Sequence, residues 1–148
     1  MTRLLKISDA TALGLHTMVY LAESPDGFIT TSEIATYLRA SEAHLAKVLQ
    51  RLTKAGLIKS TRGPKGGFTL VEGGEKTSLL TIYQLLEGPF PSLDCLFPAP
   101  ICNNTDCIMG GLLNKLSREI QEYLATTTIM QLVKGGKSVT NQKDSKNK

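Results

Sequence analysis

The chain contains no Trp, and aromatic residues make up only 5% of it. Aliphatic side chains must therefore fill the core. His occurs twice, as His16 and His44, and no Ser/His/Asp or Cys/His arrangement can be assembled from so few. The glycine runs at 63–67 and 73–74 lack the spacing of a nucleotide-phosphate loop. Nothing argues for an enzyme. No stretch nears the ~20 apolar residues a membrane span needs, and the first residues lack the apolar run of a secretory signal. Three cysteines are an odd count for a disulfide framework. Secreted, membrane and wholly disordered classes are excluded, and a cytoplasmic protein is expected. At 148 residues and 16.0 kDa the chain has the size of one domain, or of one domain with an appended arm.

The net charge of +4 is unevenly placed. Residues 134–148 carry five Lys against one Asp, which leaves residues 1–133 neutral. Within that neutral body, Arg39, Lys47, Arg51, Lys54, Lys59, Arg62 and Lys65 are opposed by Glu42 alone. A concentrated basic stretch is the footprint of a polyanion partner, although a solvated helix face has the same composition.

The pattern of residues predicts a first helix over 9–23, apolar nearly all round. His16 lies within it and reads as a satisfied core residue. Thr30 and Glu33 have capping-box spacing and start a helix over 31–38. Ser41 caps a third helix over 42–55, which Gly56 ends. Leu45, Val48, Leu49 and Leu52 recur at helical spacing as its core stripe, with His44, Lys47, Gln50, Arg51 and Lys54 opposite. Two short runs, 57–62 and 68–71, flank a Gly/Pro turn and predict a β-hairpin. Residues 79–87 form a further helix. Residues 88–107 are a loop with four prolines and all three cysteines. A long helix over 108–126 carries Met109, Leu113, Leu116, Ile120 and Tyr123 at coiled-coil spacing, the seam expected of a dimer interface. The fold class is mainly α with a small β-hairpin. A winged helix-turn-helix occupies 1–78, a sensor and dimerisation region 79–133, and a Lys-rich disordered tail 134–148.

Two constellations carry chemistry. The first is the basic helix with its hairpin. Ser41, Glu42 and His44 sit where a recognition helix meets base edges, and Lys47, Arg51 and Lys54 where it meets phosphates, with Gln50 beside them on the DNA-binding face. Arg51→Ala is accordingly expected to weaken binding and flatten its salt dependence. Arg62 and Lys65 at the hairpin tip can reach the adjacent minor groove of double-stranded DNA. An amphipathic surface helix beside an ordinary hairpin is the plainer alternative. The second constellation is Cys95, Cys102 and Cys107, separated by six and then four residues. Three thiolates on a Pro-rich loop fit a metal or an iron–sulfur site, and a fourth ligand would come from Asp94, Asp106, Asn103, Asn104 or a partner. Three unliganded thiols are the alternative, and these would oxidise readily as a redox switch. A metal or cluster carrier that docks through its basic face is the other function class.

These pieces together resemble the family of the iron–sulfur regulator IscR and the nitric-oxide-sensing repressor NsrR. The matching residues are Arg3–Asp9, Thr31-Ser32-Glu33-Ile34-Ala35, Leu52-Thr53-Lys54-Ala55-Gly56-Leu57-Ile58, Arg62-Gly63-Pro64-Lys65-Gly66-Gly67-Phe68 and the cysteine loop. They span roughly residues 3–133. The resemblance implies a homodimeric bacterial transcription regulator of the repressor or activator type that reads a near-palindromic operator. It further implies an iron–sulfur cluster, [2Fe–2S] or [4Fe–4S], whose state biases DNA binding. The IscR pattern places a His three residues after the last Cys, where this chain has Gly110. The NsrR pattern instead supplies an Asp from the other subunit near the start of the first helix, and Asp9 matches that place.

Overall fold

A computed structural model of the chain describes residues 5–103 and 106–133. The Lys-rich segment 134–148, Arg3 and Leu4 of the opening motif, and Asn104 lie outside them. Helix α1 (Asp9–Ala22) opens on Ser8, whose hydroxyl accepts from the Thr11 N–H. Helix α2 (Thr31–Leu38) opens on a complete capping box: Thr30 Oγ1 accepts from the Glu33 N–H, and Glu33 Oε2 accepts from the Thr30 N–H at 2.8 Å. Helix α3 (Glu42–Lys54) opens on Ser41 and turns Leu45, Val48, Leu49 and Leu52 inward, all buried. Burying each such side chain contributes about 2 kcal/mol.

Strands β1 (Ile58–Thr61) and β2 (Gly67–Leu70) pair antiparallel, with Ile58 opposite Leu70 and Thr61 opposite Gly67. A short 3₁₀ turn at Gly74–Lys76 leads to α4 (Leu79–Glu87). Then come α5 (Leu112–Thr126) and α6 (Ile129–Leu132). The 3₁₀ turn and α6 lie outside the helices that the sequence pattern predicts. Helix α5 begins four residues later than its apolar pattern suggests. Gly110 and Gly111 adopt φ of 54° and 79°, which breaks the helical path ahead of Leu112.

One core crosses the expected boundary at residue 78. Met18 and Leu21 of α1 and the α3 stripe share a single apolar cluster with Ile82, Tyr83 and Leu86 of α4 and with Ile129 of α6. Gly14 permits this closeness, because a Cβ there would overlap Leu86 Cδ1. His16 is exposed on the side of α1 away from this cluster, which corrects its reading as a core residue. Among the described residues, no helix is long and apolar enough to cross a membrane.

The turn joining α2 to α3 holds one residue in the left-handed region, Arg39, at φ 54° and ψ 43°. A side chain there is strained by about 1–2 kcal/mol, which glycine escapes at some cost in unfolded-state entropy. Arg39→Gly should therefore leave stability level or raise it by up to about 1 kcal/mol, and Arg39→Val should lower it. Thermal melts of the two variants check the turn; a Gly variant less stable than the Val variant would contradict it.

Candidate nucleic-acid interface and cysteine site

The outer surface of α3 is open. Ser41, Glu42, His44, Lys47, Gln50 and Lys54 are all exposed. The Ser41 hydroxyl also accepts from the His44 N–H at 3.4 Å, so this end of α3 is held in shape while its side chains face outward. Glu42 is the one anion among them. It would repel a phosphate but can accept from the cytosine amino group in a major groove.

Arg51, which the sequence pattern sets at a phosphate, also bonds within the chain. Its Nη2 donates to Leu85 O at 2.6 Å and its Nη1 to Leu86 O at 3.3 Å, both on α4. Two guanidinium nitrogens thus bond to the protein's own backbone, while the residue stays exposed.

The hairpin projects beside α3 as a wing, with Arg62 and Lys65 exposed at its tip. Its base is fastened to the link between α1 and α2. The Ile29 N–H donates to Phe68 O at 2.9 Å, and the Phe68 N–H donates to Ile29 O at 2.8 Å. A helix with an exposed polar end and a cationic wing rigidly set beside it can engage a groove and its neighbour together.

Cys95, Cys102 and Cys107 are free and half-buried. All three line one cavity of about 260 Å³, walled by Leu96, Phe97, Ile101, Ile108 and Met109, with Asp106 also present. Cys107 has the most developed surroundings. The backbone N–H of Met109 holds its thiol below the usual range, partial burial opposes this, and the amides of Gly110 and Gly111 and the Cys102 side chain reinforce it. The two left-handed glycines curl these amides around the sulfur. N–H groups aimed at a sulfur stabilise a thiolate, the form that ligates a metal. Among the described residues, no group of three His, Cys, Asp or Glu is close enough to hold a single ion. The thiols therefore frame a cavity rather than clamp one point. In donor type this suits a cluster, which spreads its iron over several thiolates.

Asp9 is not brought to these thiols within the chain. It lies exposed at the start of α1, in a separate groove of about 340 Å³ with Leu13, His16, Leu38, Arg39, Ser41 and His44. Asp94 adjoins Cys107 and accepts from Asn114 Nδ2. Asn103 is exposed.

The seam expected on α5 divides. Leu113 is buried in its own chain and Ile120 packs on the common core. Met109 and Leu116 are half-buried, and Tyr123 is 56% exposed. The outward apolar surface also includes Leu112, Met130 and Ile108, the last 89% exposed.

A family model described as Rrf2, an iron-dependent transcriptional regulator, matches residues 7–135. The chain belongs to the Rrf2 family. The family and the matching relatives are transcription regulators, not enzymes. An HTH-type transcriptional regulator of Aquifex aeolicus is 30% identical to this Rrf2 chain over 129 residues, covering 85% of this chain and 90% of its own. The global cysteine regulator CymR of B. subtilis superposes with a TM-score of 0.71 at 30% identity, covering 86% of this chain and 95% of its own. IscR of T. potens superposes at 0.65 with 28% identity, covering 86% and 85%. This Rrf2 protein thus has a winged-helix DNA-binding fold, as its sequence implied.

Besides Arg51, Glu87 makes a pairing that the sequence pattern does not predict. Glu87 Oε1 accepts from the Ser8 N–H at 2.6 Å and from Thr11 Oγ1 at 2.7 Å, and Lys6 Nζ lies 3.9 Å from Glu87 Oε2. A signal existed: a carboxylate in the last turn of α4 opposes that helix's dipole and needs compensation elsewhere. It finds it at the positive N-terminus of α1.

Proposed function

We propose that this Rrf2 protein is a homodimeric, cytoplasmic regulator of a near-palindromic operator, with an iron–sulfur cluster setting its affinity for DNA. Residues 1–78 read DNA through α3 and the wing, and residues 79–133 form the sensor and dimerisation region. Cys95, Cys102 and Cys107 would hold the cluster together with Asp9 of the partner subunit. The observation that carries this reading is the convergence of the three thiols on one cavity, with backbone N–H groups turned toward Cys107. The exposed apolar side chains Ile108, Leu112, Tyr123 and Met130 support a second copy as the cover of α5. When bound, a cluster supplies a redox-responsive and displaceable group, and an oxygen ligand such as Asp9 holds iron less tightly than a thiolate does. A switch requires the two cluster states to differ in DNA affinity.

The test begins with selection of a duplex from random sequence by the wild-type protein under anaerobic conditions. Its affinity is then measured with the cluster present and after chelation. A change of at least about fivefold is expected, the lower end of usual coupling strengths. Cys102→Ala should abolish that change while preserving binding of the duplex. A Cys102→Ala protein that responds as wild type does would show that the three cysteines are not the switch.

A second reading is favoured by one contact, the side-chain hydrogen bond between the Cys102 and Cys107 thiols. In a cluster-free regulator, an oxidant would take two electrons from this pair and leave a disulfide, with both protons lost. Loss of two free thiols on oxidation, without iron in the protein as isolated, separates this reading from the first.

A further inference from the structure

The last turn of α4 is where three parts of the molecule meet. Its carbonyls lack partners within the helix and form the negative end of the helix dipole. Arg51 reaches them from α3, at Leu85 O and Leu86 O. The next residue, Glu87, reaches the first turn of α1 through Ser8 and Thr11. Gly88 then turns the chain out of the helix at φ 94° and ψ −167°, and the segment bearing the cysteines begins.

The inner face of α3 buries Leu45, Val48, Leu49 and Leu52 in the core. Apolar burial is non-directional, so it fixes which face of α3 turns inward more firmly than it fixes the tilt of the helix. A guanidinium is a rigid fork that bonds two acceptors in a set geometry, and an ammonium is not. Arg51 lies in the last turn of α3, so its grip sets the far end of the helix whose start carries Ser41, Glu42 and His44.

We propose that Arg51 is a positioning residue for DNA recognition: by clamping Leu85 O and Leu86 O it fixes the tilt of α3 against α4. It acts through the orientation of Ser41, Glu42 and His44, not by neutralising a phosphate. The same joint gives the cysteine segment a mechanical route to α3. That extension rests on the cluster reading above; the positioning role itself does not.

Salt dependence and charge rescue separate the two roles. The full-length protein binds a duplex selected from random sequence by the wild type, and a scrambled duplex of equal length, across a salt series. Lys47→Ala is the phosphate-contact control, and its slope of log affinity against log salt should fall by about one. Arg51→Lys keeps the charge but loses the fork. Its affinity for the selected duplex should drop about tenfold, with the scrambled duplex and the slope unchanged. Arg51→Gln, which removes the charge, should also leave the slope unchanged. Thermal melts confine the measurements to temperatures at which each variant is folded. Full affinity for the selected duplex in Arg51→Lys would overturn the proposal. So would a slope lowered in Arg51→Gln as much as in Lys47→Ala. Wild-type protein that selects no duplex would overturn the DNA-reading function and this role with it. Protein without a cluster leaves the Arg51 comparison intact and bears only on the sensor.

Discussion

Gly67→Ala should destabilise the protein by about 3 kcal/mol and remove specific DNA binding together with the wing. Gly67 adopts φ 146°, a region that side chains rarely enter. A Cβ there would lie 2.5 Å from Ile29 O, 2.6 Å from Ile29 C and 3.0 Å from Ile29 N. These are backbone atoms, held by the reciprocal bonds between Ile29 and Phe68, and cannot step aside as a side chain would. The variant must give up that bridge and accept backbone strain as well. Gly73→Ala is the matched control, since Gly73 also has positive φ, at 77°, but open space around its Cβ position. It should lose only about 1 kcal/mol. Urea denaturation measures both, and gel-shift titration follows the DNA. Equal losses in the two variants would show that the close approach to Ile29 does not fix the wing.

Glu87→Ala should cost about 2–3 kcal/mol, because two donors lose its carboxylate. The Ser8 N–H loses its acceptor, and the fully buried Thr11 hydroxyl keeps only the longer contact with Ser8 Oγ at 3.3 Å. The carboxylate also sets a pH dependence. Burial pushes its carboxyl up, but hydrogen bonds from the Ser8 and Thr11 hydroxyls and the Ser8 N–H, with the Lys6 charge, bring it below the ordinary 4.5. The unfolded chain then binds the proton more tightly than the folded one. Glu87 therefore stabilises the fold fully above pH 4.5, and that contribution is lost as pH falls through its lower folded-state value. Glu33 shifts in the same direction, through its bonds to Thr30. Glu87→Gln should consequently reduce the acid loss of stability without removing it. Chemical denaturation at pH 7 and across the acid range measures both effects. An unchanged acid limb in Glu87→Gln would contradict the assignment.

Local chemistry was legible in the sequence wherever one segment decided its own shape. Thr30 and Glu33 specify the start of α2 with no help from elsewhere, and their reciprocal bonds are present. Helical spacing of Leu45, Val48, Leu49 and Leu52 identifies the inner face of α3 whatever packs against it. The order of helix, turn, helix and hairpin then follows, and with it the exposed reading surface. What the sequence could not convey depends on partners distant in the chain. Arg51 has the composition of a phosphate contact, and only the arrival of α4 beside it reveals two acceptors. Glu87 is bonded to Ser8 and Thr11, more than 75 residues away. His16 is exposed because α1 buries only part of an almost wholly apolar surface. The α5 pattern is ambiguous for a related reason. An apolar stripe does not say whether its cover is the same chain, as for Leu113 and Ile120, or another one, as is inferred for Tyr123.

The cysteine cavity is where the sequence and the three-dimensional arrangement must agree on a ligand. Purification under anaerobic conditions, followed by a visible absorption spectrum with iron and acid-labile sulfide counts, addresses it directly. A cluster held by Cys95, Cys102 and Cys107 predicts coloured protein with iron and sulfide in comparable amounts, and loss of both in Cys102→Ala. Asp9→Ala should bleach faster than wild type on exposure to a chelator. Colourless wild-type protein without iron or sulfide, isolated under conditions that preserve labile clusters, would contradict the cluster switch and leave a winged-helix regulator governed by its thiols or by a small molecule.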